Sequence, residues 1–205
     1  EIYTLSLHDA LPILAHGVCR EILKRGFEVK GFDAVFAGNV PLGAGLSSSA
    51  ALESCFAYAL NDLFNDNKIS IFELALIGQS TEHNYCGVNC GIMDQFASVF
   101  SKKDCLMRLD CCSLEFKYFP FKPVGYKLVL VNSQVKHELV DSPYNKRRES
   151  CERVAKTLGV ETLRDADMSM LEAAKDQISD EDYNRAVYVI GEKQRVLDVC
   201  EALEK

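Results

Sequence analysis

Apolar residues recur at three- and four-residue intervals from about Leu14, and the run stops at Gly26, which predicts a helix closed by that glycine. From Phe27 to Gly38 the pattern alternates, with Phe32, Ala34 and Phe36 on one face, and predicts a strand. A further helix is expected up to about Phe64, with Leu52, Phe56, Leu60 and Leu63 along one side. Ser70-Ile71-Phe72-Glu73 is a capping box that opens the next helix, expected to reach about Tyr85. Another should start near Gly91 and carry Asp94, with Met93, Phe96 and Val99 in the core. Cys105 to Leu109, Phe116 to Phe119 and Tyr126 to Asn132 read as strands. From Asn145 the chain turns helical: Gly159 ends the first of these helices and Asp180 or Asp182 opens the last. In that last helix Val187, Ile190, Gln194, Leu197, Cys200 and Leu203 recur at near-helical spacing up to Lys205. Strands early and helices late predict an α+β fold, with a domain change near residues 120–145.

Composition narrows the classes of partner. A chain of 205 residues holds one full domain, or one and a part. A net charge of −7 argues against a nucleic-acid binder. The basic cluster Lys146-Arg147-Arg148 runs straight into Glu149 and Glu152, which makes it a solvated helix face. No apolar stretch approaches the ~20 residues of a membrane helix, and no basic region followed by an apolar one marks a signal peptide. The nine cysteines include no CxxC pair, so a zinc site is not expected. Reduced thiols in a cytoplasm are the expectation. His83 is expected to pack or to face solvent, and His137 is given no role.

The most informative segment is Pro41-Leu42-Gly43-Ala44-Gly45-Leu46-Ser47-Ser48-Ser49-Ala50. Two glycines let the backbone take positive φ and approach a ligand closely. The helix behind them offers unpaired N–H groups and a positive dipole end. Together these form a site for phosphate. No GxxxxGK[ST] string occurs, nor the glycine loop of protein kinases, so the nucleotide site is of neither type.

This string resembles the second motif of the GHMP small-molecule kinases, the family that includes galactokinase, homoserine, mevalonate and phosphomevalonate kinases. Cys90-Gly91-Ile92-Met93-Asp94-Gln95-Phe96 follows, then Leu109-Asp110-Cys111-Cys112-Ser113-Leu114-Glu115, Asn132-Ser133 and Ser142-Pro143-Tyr144-Asn145-Lys146-Arg147-Arg148. In this order they resemble the middle of the galactokinase branch, over about His16 to Lys205. The resemblance implies a GHMP kinase fold: a mixed α+β N-terminal domain, incomplete, over residues 14–130, with its phosphate loop at 41–50, and the start of a C-terminal domain over 131–205.

It also implies roles. Gly43, Ala44, Gly45, Leu46, Ser47, Ser48 and Ser49 would line the ATP phosphates. Ser49 and Glu82 would hold Mg²⁺, which takes only one or two protein oxygens and offsets phosphate charge. Asp94 would face the anomeric hydroxyl of galactose and accept its proton, and Gly91 and Tyr144 would contact the sugar. The implied reaction is transfer of the ATP γ-phosphate to the anomeric hydroxyl of α-D-galactose, giving galactose 1-phosphate, by a cytoplasmic monomer. N-acetylgalactosamine or arabinose are alternative sugars, and a non-catalytic galactose and ATP sensor is the alternative of another class. Retention of Ser49-Ala50 and Asp94 favours the enzyme.

Residues 1–13, EIYTLSLHDALPI, have no clear period and resemble a translated sequencing adapter joined in frame. The other end stops inside a helical pattern. The expectation is a fragment lacking both ends and inactive alone, because the assisting arginine and most sugar contacts of the resemblance precede it.

Overall fold

The first helical stretch forms α1, Ala10–Lys24, and it ends as its glycine requires: Gly26 takes φ +82° and Phe27 N–H bonds back to the Ile22 carbonyl. The computed structural model describes residues 10–131 and 144–205. α2 is Ser48–Asn65, α3 Ile71–Thr81 and α4 Met93–Phe100. Val18 and Ile22 of α1, Phe56, Ala57 and Leu60 of α2, Ile69, and Leu74 and Ile77 of α3 share one core. At Gly17 a Cβ would stand 2.5 Å from Thr81 Cγ2, so only a glycine lets α1 lie this close to α3.

The buried face of α2 runs through Ala50, Glu53, Ala57, Leu60 and Asn61, and Phe64 packs beside it. Leu63, expected on that face, is exposed, because the helical step carries it off the buried stripe. Two buried amides tie the C-terminal end of α2 to the chain around it. Asn61 bonds the backbone of Ile69 in both directions, and Asn65 does the same to Glu28, at 2.8 and 2.9 Å.

That second pair explains a correction. The segment 27–38 is extended but joins no sheet among the described residues. Of the expected face Phe32, Ala34 and Phe36, only Phe36 is half-buried; it packs on the core with Phe27 and Val29, and its ring meets Phe56 edge-on at 5.5 Å. Residues 126–131 are likewise unpaired among the described residues, and Tyr126, Leu128, Val129, Leu130 and Val131 are each at least 75% exposed. A strand needs a neighbour's ladder, whatever its own propensity. Asn132, the end of that expected strand, lies outside the described residues, as does His137.

The capping box performs as read. The Ser70 hydroxyl accepts the Glu73 N–H at 3.2 Å and opens α3. The helix continues into a π-helical turn, Glu82–Cys86, which ends at Gly87 with φ +67°. In α4, Phe96 is buried and stacks on Phe100 at 4.6 Å, while Met93, expected in the core, is 62% exposed.

β1, Cys105–Leu109, and β2, Phe116–Pro120, form a two-stranded sheet. Asp110 N–H to the Glu115 carbonyl and Phe121 N–H to the Asp104 carbonyl share one register, which makes the pair an antiparallel hairpin.

The chain divides into two compact units. Among the described residues the first holds 10–103, 109–115 and 123–131, and the second 104–108, 116–122 and 144–205. In the second, α5 (Tyr144–Leu158), α6 (Met168–Ala173) and α7 (Asp180–Glu204) bury Val154, Leu163, Leu171, Ala186 and Ile190 together. Gly159, with φ +71°, stops α5 as expected. Asp180 opens α7 as expected, behind the cap Ser179, whose hydroxyl accepts the Asp182 N–H. Only the start of α7 is buried, and Leu197 is exposed. Lys146, Arg147 and Arg148 are exposed, and Arg148 pairs with Glu152 one turn on. All nine cysteines are free thiols. Among the described residues, no helix is long and apolar enough to cross a membrane.

Candidate active site

The glycine loop reaches α2 through three residues in the left-handed region: Gly43 at φ 66°, Gly45 at 72° and Ser47 at 56°. The glycines adopt it at little cost, whereas a serine there is strained by about 1–3 kcal/mol. Ser47 occupies the N-cap position, yet its side chain makes no capping bond. The first N–H groups of α2 are therefore not closed off by that hydroxyl. Gly45 and Leu46 are exposed, Gly43, Ala44, Ser47, Ser48 and Ser49 half-buried, and a Cβ on Gly45 would meet open space. Such an open helix end favours an anion.

From the first turn of α2 the Ser49 hydroxyl donates to Glu82 Oε1 at 2.6 Å. Glu82 is buried at the junction between α3 and the π turn, and its carbonyl receives the N–H groups of both Gly87 and Val88. Single π turns of this kind are frequent at functional sites. Among the described residues Glu82 has no ion-pair partner. A buried carboxylate that stays ionised is offset by a cation or a metal.

The loop from Gly87 to Ile92 is held by its carbonyl at Cys90, which receives Gln79 Nε2 at 3.3 Å and contacts His83 Nε2 at 2.8 Å. His83 thus packs, as expected. Ile92 is buried and anchors the start of α4, which places Gly91 just before it and Asp94 in its first turn. Gly91 is exposed and Asp94 half-buried.

Acidic groups converge here. Burial, then the charges of Glu53 and Glu82, push the Cys86 thiol up to about 12. The Cys90 thiol is raised as well, by burial first and then by Glu82, with Glu53 and Asp94 adding to it. The structure therefore brings Ser49, Glu82 and Asp94 into one neighbourhood around Cys90. Tyr144 opens α5 in the second unit and is 45% exposed. Asn132-Ser133 and Ser142-Pro143 lie outside the described residues.

Two residues were not anticipated. Glu53 is fully buried on the core face of α2, and Gln95, beside Asp94, is 1% exposed. A glutamate at an apolar-face position was the available signal for Glu53; nothing in the sequence separates Gln95 from an ordinary helical glutamine.

A glycine-rich turn thus feeds a helix end, with a serine–carboxylate pair beside it. Residues 14–102 match the GHMP kinases N terminal domain. Along the chain the similarity lies with galactokinases. The chain is 44% identical over 189 residues to the galactokinase of Thermotoga petrophila, covering 92% of this chain and 53% of that protein. It is 42% identical over 185 residues to that of Clostridium tetani, covering 88% of this chain and 47% of that protein. The crystal structure of Lactococcus lactis galactokinase complexed with galactose superposes with a TM-score of 0.85 at 31% identity, over 93% of this chain and 50% of that one. The chain thus spans about half the length of the curated relatives it matches.

Proposed function

We propose that this chain carries the core of an ATP-dependent sugar kinase that transfers the γ-phosphate of ATP to the anomeric hydroxyl of α-D-galactose. The observation that carries the reading is the Ser49–Glu82 hydrogen bond, which joins the phosphate-loop helix to a buried carboxylate lacking an ion-pair partner among the described residues. Similarity to galactokinases across most of the chain supports the choice of sugar.

The backbone N–H groups at the start of α2, approached through Gly43 to Ser48, hold the ATP phosphates. The hydroxyl of Ser49 and the carboxylate of Glu82 are hard oxygen donors, a set that fits Mg²⁺, which keeps waters and phosphate oxygens as its other ligands. Among the described residues no group of three or more His, Cys, Asp or Glu offers an alternative metal site. When bound, the ion neutralises charge on the phosphate oxygens. Asp94 accepts the proton of the sugar hydroxyl, and Gly91 and Tyr144 contact the sugar. Residues 14–130 belong to the N-terminal domain and 131–205 begin the C-terminal one, in a protein that works as a cytoplasmic monomer.

The test places residues 14–205 within a complete galactokinase and assays phosphorylation of galactose, N-acetylgalactosamine and arabinose. Turnover of galactose, reduced about 10²- to 10⁴-fold by Asp94→Asn, is expected. A folded, ATP-binding chimera without turnover on any sugar would support the sensor instead.

A further inference from the structure

Glu53 and Gln95 face one another in the core of the first unit, at 0% and 1% exposure. Gln95 Nε2 donates to Glu53 Oε2 at 3.4 Å. The remaining oxygen of each, Glu53 Oε1 and Gln95 Oε1, is buried without a hydrogen-bond partner. Both are acceptors while Glu53 is ionised, so neither can satisfy the other. Buried polar atoms of this kind are rare. One proton removes both orphans: on Glu53 it makes a donor, and the amide oxygen of Gln95 is the acceptor left over. A carboxylic acid and a primary amide are complementary in this way, with N–H to the acid carbonyl and O–H to the amide carbonyl.

We propose that Glu53 and Gln95 form a neutral acid–amide pair, and that Glu53 is a positioning residue which, through Gln95, fixes Asp94 against the phosphate-loop helix. The local electrostatics agree. Burial first, and then the charge of Glu82, raise the Glu53 carboxyl to about 8. The other titratable groups coupled to it, Cys86 and Cys90, are acids that also hold their protons.

The placement of the pair gives it a role. Glu53 lies one turn beyond Ser49 on α2, and Gln95 follows Asp94 on α4. Over the pair lies Gly78 of α3, one turn before Glu82. A Cβ there would stand 2.9 Å from Gln95 Cγ and 3.2 Å from Glu53 Oε2. Three elements that each carry a site residue thus meet at one pair of side chains. The existence of the pair is independent of the kinase reading, whereas its service to Asp94 rests on it.

The test uses the 205-residue chain at pH 7 as wild type, Glu53→Gln, Glu53→Ala and Gly78→Ala, followed by infrared difference spectroscopy and amide hydrogen exchange. Wild type should show the C=O stretch of a protonated carboxyl that Glu53→Gln lacks. Glu53→Gln can rebuild both bonds with its own amide and should keep protection across Met93–Phe100. Glu53→Ala and Gly78→Ala should lose at least roughly tenfold of that protection, while α1 keeps its own. An acid band equal in wild type and Glu53→Gln would overturn the neutral pair. Protection lost evenly over α1 to α4, or lost in Glu53→Gln, would reduce Glu53 to a packing residue and overturn the positioning role. If Glu53→Ala does not fold, Gly78→Ala, which keeps both groups, decides the same question. Failure of the complete enzyme to phosphorylate any sugar would remove the kinase reading and leave the infrared and exchange results standing.

Discussion

The Ser49 hydroxyl and the Glu82 carboxylate lie 2.6 Å apart although they stand 33 positions apart in the chain. The bond joins the first turn of α2 to the end of α3, the two elements that would hold the phosphates and their counter-ion. Ser49→Ala removes a candidate metal ligand and one of the donors that support a buried carboxylate. In a complete enzyme carrying this segment, it should lower kcat by at least roughly tenfold. The KM for galactose should change much less, since neither group touches the sugar in this reading. Steady-state kinetics over a range of Mg²⁺ concentrations checks this. A loss confined to the galactose KM would remove Ser49 from the phosphate side of the site.

Much of this arrangement was legible in the sequence because it depends on local chemistry. Ser70 and Glu73 form a capping box wherever a helix starts, and Gly159 stops one wherever φ must turn positive. The glycine and serine loop was likewise recognisable from its own residues. What escaped depends on distant neighbours. Residues 27–38 alternate like a strand, yet the side chain of Asn65 takes the backbone bonds of Glu28. The left-handed Ser47 and the π turn at Glu82 have no residue-type signature. Neither does the meeting of Glu53 and Gln95, which exists only once α2 and α4 pack.

Thiol reactivity should divide the cysteines by environment. The thiolate is the nucleophile, so a thiol whose proton is held tightly reacts slowly. Cys86 and Cys90 are half-buried and surrounded by carboxylates that raise them. Cys55 and Cys112 are exposed. Brief iodoacetamide treatment at pH 7.5, followed by mass mapping, should label Cys55 and Cys112 well before Cys86 and Cys90. Rapid labelling of Cys90 would contradict the acidic neighbourhood drawn around Glu82.

Acid should act on the second unit through Asp182. Arg153 bonds this carboxylate twice, at 2.8 and 3.0 Å, and together with Ser150 and Ser179 holds it down to about 2. A depressed carboxyl contributes stability above its unfolded value of about 3.9 and loses it as pH falls through the folded value. Wild type should therefore lose stability in the α5–α7 unit between about pH 4 and pH 2. Asp182→Asn, which lacks the titrating group, should begin less stable at pH 7 and show less change across that window. Parallel pH dependences in the two proteins would sink the assignment.

Glu53 predicts the opposite slope, in another pH range. Its carboxyl is raised from 4.5 to about 8 in the folded chain by burial and by Glu82, so the native state binds a proton that the unfolded state has released. Between those values the unfolded state holds fewer protons, and the linkage relation makes stability fall as pH rises. The limiting slope for one such group is about 1.4 kcal/mol per pH unit. Below about pH 4.5 both states hold the proton, and the dependence vanishes. Urea unfolding of the first unit at intervals from pH 5 to pH 8 should show this decline in wild type. Glu53→Gln, which keeps the hydrogen-bonding shape without the titration, should show a flatter profile over the same range. Because burial and the Glu82 charge both act on this carboxyl, Glu82→Gln should lower the pH at which the decline levels off without abolishing the decline. Equal slopes in wild type and Glu53→Gln would mean that Glu53 does not carry the proton.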